Sequence, residues 1–554
     1  MKPHLLVQAA LMALMPQLAI AEPFAQLRAA YAVRDVRAAA AAYAPDAELI
    51  NNYTNSAQER FRGRAAIEAN FAKLFAGIDP QKKIDINFRV SQTSGATRHG
   101  IYRLRVGAKT YFGKFAVRLT PDGKFARDES FDGTRTDFEE AAGPVMLAPG
   151  DEELDAAYYD ALVGRYRLSR QCNVVVTRSV VRLLVRNTCT NEWRGLQRKS
   201  GREWAAGDRV LPNDPKVRYG FAVPVNGRST QLRIGTGTIA LRRDLYRTEE
   251  VSFSSRDSTR LAGTLYVPFG KASRRPATVL IHGSGGQARN GYASIMAVIA
   301  DQLASQGRVV LAYDKRGVGG SQGDWARAGF DTLADDAMAG MAFLAKRKEV
   351  DPARVGLAGS SQAGWVAAKA IRQGARPADV FLLGAAGAAL TVAEQNLYNT
   401  EVRMRCARVP DSDIDLALAQ QRAFFAFLTH PDRSDELDRL SAEGRKRTGL
   451  ADWLFPDSKT TDRSGGEWYT TLDPAFNPLP VWQSYKGRAL FVFSENDDAT
   501  PTEIAISRLR TVPAEHRVLP GAQHLGLRTN DKCRAEFSDV SAFAPELWTA
   551  MRDF

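Results

Sequence analysis

The sequence predicts an α/β fold with a mostly parallel sheet for the C-terminal half of the chain, preceded by an α+β domain and a small all-β domain. From residue 278 to residue 383, continuous apolar strands alternate with helical patterns, which is typical of a sheet covered by helices on both faces. Residues 159–245 consist of short alternating runs that turn residues separate. Residues 24–140 begin with helical spacing of apolar side chains and continue as alternating strands.

The chain has 554 residues, of which 44% are hydrophobic, so it can form more than one core. We predict a signal peptide over 1–21, the α+β domain over 22–142, the small β domain over 150–246 and the α/β domain over 247–554. A long helical insertion at about 393–482 is predicted to cap the parallel sheet. Its many aromatic side chains are expected to form the core of the cap and, in part, an apolar wall facing the sheet.

The first residues have the pattern of a secretory signal peptide. Lys2 precedes an apolar stretch from Leu5 to Ile20, and Ala19-Ile20-Ala21 offers an A-x-A cleavage site. The stretch is short for a membrane span. We therefore expect an exported protein, periplasmic or secreted, with no stable membrane insertion after the signal is cleaved.

The net charge of +13 does not indicate a nucleic-acid partner. The basic residues are dispersed, and their longest cluster is Arg445-Lys446-Arg447. Proteins that bind nucleic acid concentrate such residues in a patch or stripe, often interleaved with aromatic side chains. The dispersion instead favours a solvated, somewhat basic surface, and we predict no nucleic-acid partner.

Four cysteines fit an oxidising compartment: Cys172, Cys189, Cys406 and Cys533. None forms a C-x-x-C pair, so neither a zinc site nor thioredoxin-like chemistry is expected, and we predict no metal. An even number of cysteines in an exported protein suggests two disulfides. Proximity in the sequence favours Cys172–Cys189 and Cys406–Cys533, although four cysteines permit three pairings.

The α+β domain resembles a known family. Residues 24–76 are predicted to be helical, and alternating strands follow from Tyr102. The segments GRAAIEANFAKLF and YFGKFAVRLTPDGKFARDESFD are similar to those of cone-shaped NTF2-like, or SnoaL-like, domains. The resemblance implies a pocket for a small molecule or a role in assembly, including a homodimer through this domain.

The strands of the middle domain predict an open barrel or a sandwich.

The segment from Val355 to Trp365 predicts a nucleophile elbow. It is an apolar strand that ends at Gly359 and gives way to a helix, with Ser361 on the corner. A sharp strand-to-helix turn of the G-x-S-x-G type exposes a serine hydroxyl at the end of a sheet. Ala363 replaces the second glycine, and Gly364 follows it. The other interpretation is a tight turn whose serine caps the helix.

A serine nucleophile needs a base, and the base needs an orienting acid. Of the histidines after Ser361 and outside the insertion, His516 leads into the final strand and His524 follows it. Because sites of α/β proteins lie at the carboxyl ends of the strands, His524 is the predicted base. The preceding strand is followed by three acids: Glu495, Asp497 and Asp498.

Two backbone amides are predicted to form an oxyanion hole. The first is the N–H of Gln362, directly after the nucleophile, and the second is that of Ser284, with Gly283 beside it. The loop His282-Gly-Ser-Gly-Gly286 is similar to the HGGG-type loop of esterases, and His282 is expected to shape the loop without acid–base work. In the next strand's segment, AYDKRGVGGSQGDW, we expect an ion pair between Asp314 and Arg316.

These four motifs, in this order, identify residues 249–554 as resembling the α/β-hydrolase superfamily. The similarity of FVFSENDDATP to the GExDxxxP segment of such hydrolases selects Asp497 as the acid, with Asp498 as second choice. The resemblance implies a serine hydrolase that cleaves carboxylic esters of small acyl substrates without a cofactor. The first alternative is a thioesterase or a serine peptidase of the same fold. The second alternative is that the chain is not an enzyme and binds a small molecule through its NTF2-like domain.

Overall fold

The computed structural model describes residues 23–52, 59–94, 96–107, 109–132, 156–178, 183–200, 203–210, 216–270, 274–325, 327–461, 463, 468–534 and 539–554. The predicted signal peptide and the linker before the small β domain lie outside the described residues. The chain divides into two compact units. The first contains the described residues up to 132, with 198–200, and the second contains the remaining residues from 156 onward.

The first unit combines helices with a mixed sheet. Its described helices are α1 (23–33), α2 (Val36–Ala41) and α3 (Arg64–Ala76). Its strands are β1 (Tyr43–Asn52), β2 (Glu59–Arg62), β3 (Ile84–Ser94), β4 (Thr97–Val106), β5 (Lys109–Leu119) and β6 (Phe125–Asp132). They form a six-stranded sheet in the order β2-β1-β6-β5-β4-β3. The NTF2-like assignment stays a prediction.

The prediction that residues 24–76 are helical is wrong for two segments of that range, which form β1 and β2. Residues 43–52 form β1, which pairs in parallel with β6 and antiparallel with β2. The partner strand β6 begins more than seventy residues later, so no local pattern reports the pairing. Leu49 of β1 is buried in a cluster that includes side chains of the helices, and the next residue, Ile50, is buried as well.

Residues 156–242 form helix α4 (Ala156–Leu162) and a sheet of nine strands. The strands are β7 (Gly164–Arg167), β8 (Asn173–Arg178), β9 (Leu183–Asn187), β10 (Trp193–Gly195), β11 (Gln197–Ser200), β12 (Glu203–Ala206), β13 (Val217–Phe221), β14 (Gln231–Ile234) and β15 (Thr238–Arg242). Their order is β10-β9-β8-β7-β15-β14-β13-β12-β11. A disulfide between Cys172 and Cys189 joins the two ends of the β8–β9 hairpin.

An eight-stranded sheet forms the rest of the second unit. Its strands are β16 (Tyr246–Ser254), β17 (Arg260–Pro268), β18 (Arg275–Ile281), β19 (Val309–Tyr313), β20 (Val350–Ser360), β21 (Asp379–Leu383), β22 (Arg488–Ser494) and β23 (Glu515–Leu519). The order is β16-β17-β19-β18-β20-β21-β22-β23, antiparallel as far as β19 and parallel beyond it. The parallel strands therefore bring their carboxyl ends to one edge.

Helices cover both faces of this sheet, as its continuous apolar strands predict. The helices outside the insertion are α5 (Ile295–Ser305), α6 (Phe330–Ala345), α7 (Ala363–Arg372), α13 (Thr502–Leu509) and α14 (Pro545–Asp553). Two buried clusters result. One includes side chains of α6 and α7, and the other includes side chains of α5 and α14.

The nine-stranded sheet packs against the α5 face of the eight-stranded sheet. Arg165 of β7 forms an ion pair of 2.7 Å with Asp301 of α5, and both side chains are buried. The hydroxyl of Tyr246 donates to the same carboxylate at 2.9 Å. The guanidinium of Arg186 lies 3.5 Å from the ring centre of Trp548. A buried charge pair and a cation–π contact thus link the two sheets.

The predicted insertion lies between β21 and β22. Its helices are α8 (Val392–Cys406), α9 (Asp411–Thr429), α10 (Ser434–Arg445), α11 (Trp468–Thr471) and α12 (Leu479–Ser484). Phe424, Phe427 and Tyr469 are buried in a cluster that belongs to the insertion itself. A disulfide joins Cys406, at the end of α8, to Cys533. Across the described residues, no helix has the length and hydropathy that crossing a membrane requires.

Candidate active site

Ser361 lies on a sharp corner between β20 and α7. Its φ of 55° places a non-glycine residue in the left-handed region, which costs free energy and is found at functional sites. Its backbone N–H donates to the carbonyl of Leu383 at 2.9 Å, so the corner is fixed to the end of β21. The strand ends at Ser360 and the helix begins at Ala363, leaving two residues for the turn.

Small residues make this corner possible. A Cβ at Gly359 would collide with the Cβ of Ala363 and would lie 2.5 Å from the carbonyl oxygen of Ile281. A Cβ at Gly364 would lie 2.9 Å from the carbonyl carbon of Gly387. Ala363 is fully buried in this space. The turn therefore accepts alanine at the second small position only because glycine occupies residue 359.

His524 forms a hydrogen-bonded pair with Asp497. The Nδ1 atom of His524 lies 2.9 Å from Oδ2 and 3.0 Å from Oδ1 of Asp497. The carboxylate is fully buried, and its Oδ1 also accepts the backbone N–H groups of Ala499 at 2.8 Å and Thr500 at 2.7 Å. A carboxylate held in this way keeps the Nδ1 proton on the imidazole, which leaves Nε2 as an acceptor.

The environment makes His524 a stronger base than an isolated imidazole. Burial alone would lower its pKa, but the carboxylates of Asp497 and Asp498 outweigh burial, and the pKa is raised. Burial raises the pKa of Asp498 as well. Among the described residues, the carboxylate that accepts the Nδ1–H of the imidazole is that of Asp497 and not that of Asp498.

Ser361 and His524 both lie at the end of β21. Leu383 accepts the N–H of Ser361, and the next residue, Gly384, is in close contact with His524. A Cβ at Gly384 would lie 3.0 Å from Nδ1 of His524 and would collide with the carbonyl oxygen of that residue. The φ of Gly384, 57°, is likewise in the left-handed region. Residue 384 must therefore be glycine, because the loop that carries His524 lies directly against it.

The predicted oxyanion loop lies beside the elbow. A Cβ at Gly283 would lie 3.6 Å from Cβ of Ser361, so the two chain segments are in contact. Ser284 is exposed, and its carbonyl accepts Nε2 of Gln287 at 2.7 Å. Nε2 of His282 lies 2.6 Å from the carbonyl oxygen of Tyr313, and burial lowers the pKa of His282 to about 3. The imidazole is therefore neutral, and its hydrogen bond fixes the first residue of the loop to the end of β19.

The expected ion pair between Asp314 and Arg316 is not formed. Asp314 pairs with Arg289, whose Nη2 lies 2.8 Å from Oδ2 of the aspartate. Arg316 pairs with Asp336 of α6 at 2.6 Å, and both side chains are buried. The two residues lie only two apart in sequence but have different partners, because the fully buried carboxylate of Asp336 needs a cation.

The insertion contributes to the site in a way that the sequence analysis missed. The hydroxyl of Tyr398 donates to the carbonyl of Asp497 at 2.9 Å, and Nδ2 of Asn399 donates to the carbonyl of Asp498 at 2.9 Å. Both donors lie on α8, whose last residue forms the disulfide to Cys533. Helix α8 therefore supports the loop that carries the acid. No sequence motif marks these two residues.

Comparisons with known proteins agree with this topology. Residues 278–536 match the sequence model of the alpha/beta hydrolase family. The segment from β16 to α14 has an α/β hydrolase fold. We call it the hydrolase domain; the match supports a hydrolase in general.

Individual relatives and solved structures are similar to this chain only in part. An uncharacterized protein of Mycobacterium tuberculosis (strain H37Rv) is 34% identical over 118 residues, which are 21% of this chain and 39% of that protein. The chain thus spans less than half the length of the curated relatives it matches. The alpha/beta hydrolase GrgF of Penicillium sp. sh18 is 21% identical, with a TM-score of 0.33 over 50% of this chain and 91% of GrgF. Est1E of Butyrivibrio proteoclasticus, with ferulic acid bound, is 16% identical, with a TM-score of 0.33 over 50% of this chain and 91% of Est1E.

Proposed function

We propose that the chain is an exported serine hydrolase that cleaves carboxylic esters of small acyl substrates through an acyl-enzyme. The observation that carries the proposal is the buried Asp497–His524 pair at the sheet edge where Ser361 occupies a left-handed corner. A carboxylate, an imidazole and a half-buried serine on a sharp corner, all at one edge of the sheet, are the parts of a catalytic triad.

In the proposed mechanism, Nε2 of His524 takes the proton of Ser361 as the hydroxyl attacks the ester carbonyl. Asp497 holds the Nδ1 proton and stabilises the imidazolium that forms. The imidazolium then protonates the leaving alcohol. Water, activated by the same histidine, releases the acid and restores Ser361.

The proposed oxyanion donors are the backbone N–H groups of Gln362 and Ser284, with Gly283 in contact with the nucleophile. The carbonyl of Ser361 accepts the N–H of Gly364 at 3.2 Å and so points along α7. Since the C=O and N–H of one trans peptide point in opposite directions, the N–H of Gln362 faces away from the helix. There the helix N-terminus favours negative charge.

A fluorophosphonate probe tests the proposal on the full chain. We expect one covalent adduct on Ser361, located by peptide mass spectrometry, and none in Ser361→Ala. The matched control is Ser360→Ala, because Ser360 is the neighbouring residue but is buried at the end of β20. Absence of an adduct on Ser361 in the folded wild-type chain would overturn the proposal.

Substrate panels separate the ester hydrolase from its alternatives. We expect turnover of p-nitrophenyl esters and little turnover of aminoacyl anilides, because the arylamine that leaves an anilide is a poorer leaving group than p-nitrophenol. A series of acyl-chain lengths then measures which chains the site accepts. If anilides were cleaved faster than the matching esters, a peptidase would replace the esterase as the function.

A further inference from the structure

A buried lysine lies beneath the oxyanion loop, where no motif assigns it a role. Lys315 follows β19 and is 4% exposed. Its Nζ donates to the carbonyl of Gly283 at 2.7 Å, to the carbonyl of Gly285 at 2.8 Å and to Oε1 of Gln362 at 2.9 Å. A lysine ammonium has three N–H donors, so each has an acceptor.

The three acceptors belong to both parts of the proposed oxyanion hole. Gly283 and Gly285 flank Ser284, and Gln362 follows the nucleophile. In a trans peptide the C=O and the next N–H point in opposite directions. Because the Gly283 carbonyl points at Nζ, the N–H of Ser284 points away from it. The ammonium thus lies on one side of the loop and the amide faces the other.

Lys315 has no carboxylate partner at ion-pair distance within the described part of the chain. The neighbouring carboxylates are committed elsewhere: Asp314 pairs with Arg289, and Asp336 pairs with Arg316. Burial lowers the pKa of Lys315 to about 7, while Asp336 partly opposes the shift. The other titratable neighbour, His282, is neutral.

A buried cation that only neutral dipoles solvate is costly. The fold could avoid this cost with an apolar side chain of similar volume, but an apolar side chain would leave the carbonyls of Gly283 and Gly285 without a donor. An oxyanion on the far side of the loop would supply the negative charge that the lysine lacks. Preorganised dipoles and charges that meet charge only in the transition state lower the barrier without strengthening substrate binding.

We propose that Lys315 is a positioning residue that fixes the amides of Ser284 and Gln362 toward the reacting carbonyl and complements the oxyanion with its charge. This proposal rests on the proposed function, because it assumes that Ser361 is acylated at this site. It assigns the lysine no contact with the substrate.

The test compares Lys315→Met with the wild-type chain for hydrolysis of a p-nitrophenyl ester. We expect kcat to fall by about 10²–10³-fold, the effect of removing an oxyanion donor, with KM within about threefold. The effects on the thermal midpoint oppose each other, because Lys315→Met removes a buried charge but leaves the carbonyls of Gly283 and Gly285 without a donor, so we expect the variant to stay folded with a small shift. A second variant, Lys315→Gln, keeps an N–H donor and should recover part of kcat.

The pH profile gives a readout that a merely structural role would not move. In the wild-type chain, kcat should rise on the acid side as His524 loses its proton and fall on the alkaline side as Lys315 loses its own. Lys315→Met should keep the acid limb and lose the alkaline one. The matched control is Lys369→Met, because Lys369 is equally buried but pairs with Asp331 and Asp473; it should keep both limbs.

The outcomes separate the two proposals. If the folded wild-type chain gives no fluorophosphonate adduct on Ser361, the proposed function fails, and the role of Lys315 fails with it. If Ser361 is labelled and ester is turned over, but Lys315→Met retains kcat within about threefold and the same alkaline limb, only the role of Lys315 is overturned. Should Lys315→Met not fold, the same comparison is made with Lys315→Gln.

Discussion

Replacing Asp497 by asparagine would change the tautomer of His524 by moving the imidazole proton from Nδ1 to Nε2. In the structure, Oδ1 of Asp497 accepts two backbone N–H groups, from Ala499 and Thr500, while Oδ2 lies 2.9 Å from Nδ1 of His524. An asparagine would keep its oxygen against the two N–H donors, because its NH2 group there would face donors only. Its NH2 would then occupy the position of Oδ2 and point at the imidazole.

With the NH2 group in that position, His524 takes the tautomer that cannot act as a base toward Ser361. A donor opposite Nδ1 forces the imidazole proton onto Nε2, so that no lone pair remains for the proton of Ser361. The same tautomer error in serine proteases costs about 10⁴-fold in kcat, which corresponds to about 5 kcal/mol of transition-state free energy. KM should change little, because the substrate does not contact Asp497.

The assay is steady-state hydrolysis of a p-nitrophenyl ester across pH. Asp497→Asn should lose about 10⁴-fold in kcat. The acid limb of the residual activity should move to lower pH, because burial then lowers the pKa of His524 without an opposing carboxylate at Nδ1. Asp498→Asn is the matched control and should lose less than about tenfold, because that residue is not hydrogen-bonded to the imidazole. Loss of activity in Asp498→Asn with Asp497→Asn nearly unaffected would refute the reasoning.

Three further changes probe packing and covalent links by thermal and denaturant unfolding. Gly359→Ala should destabilise the chain by about 1–3 kcal/mol or more, because its Cβ has no space at the elbow. Asp301→Ala should cost about 3–5 kcal/mol, because it leaves the buried guanidinium of Arg165 without its partner. Replacing Cys406 and Cys533 by serine removes a 127-residue link, worth about 5 kcal/mol by loop-closure entropy.

Each change has a matched control. Gly237→Ala adds a Cβ in open space and should leave stability within about 0.5 kcal/mol. Glu203→Ala breaks an exposed pair with Arg233 and should cost at most about 1 kcal/mol. The Cys172–Cys189 link closes 17 residues and should contribute less, about 3 kcal/mol. Equal losses in a variant and its control would contradict the structural explanation of that variant.

The sequence by itself determined the features that depend on local pattern. Apolar strands alternating with helices predict a parallel sheet, and its carboxyl edge receives Ser361 and His524 because each follows a strand. The elbow is also local, since the small residues around Ser361 allow the turn whatever the partners are.

Only the tertiary structure decided which side chains meet. Asp497 and Asp498 are neighbours, and in the sequence only a resemblance favours the first; in the structure, the turn that places Oδ1 of Asp497 on the amides of residues 499 and 500 directs that residue to His524. Asp314 and Arg316 look like partners, but Asp314 pairs with Arg289 in the loop after β18 and Arg316 pairs with Asp336 of α6. Strand β1 exists because of its pairing with β6, far along the chain. The direction of the Lys315 side chain also depends on the tertiary structure, because its acceptors come from the loop after β18 and from the elbow. Such contacts depend on through-space geometry, which short-range periodicity does not encode.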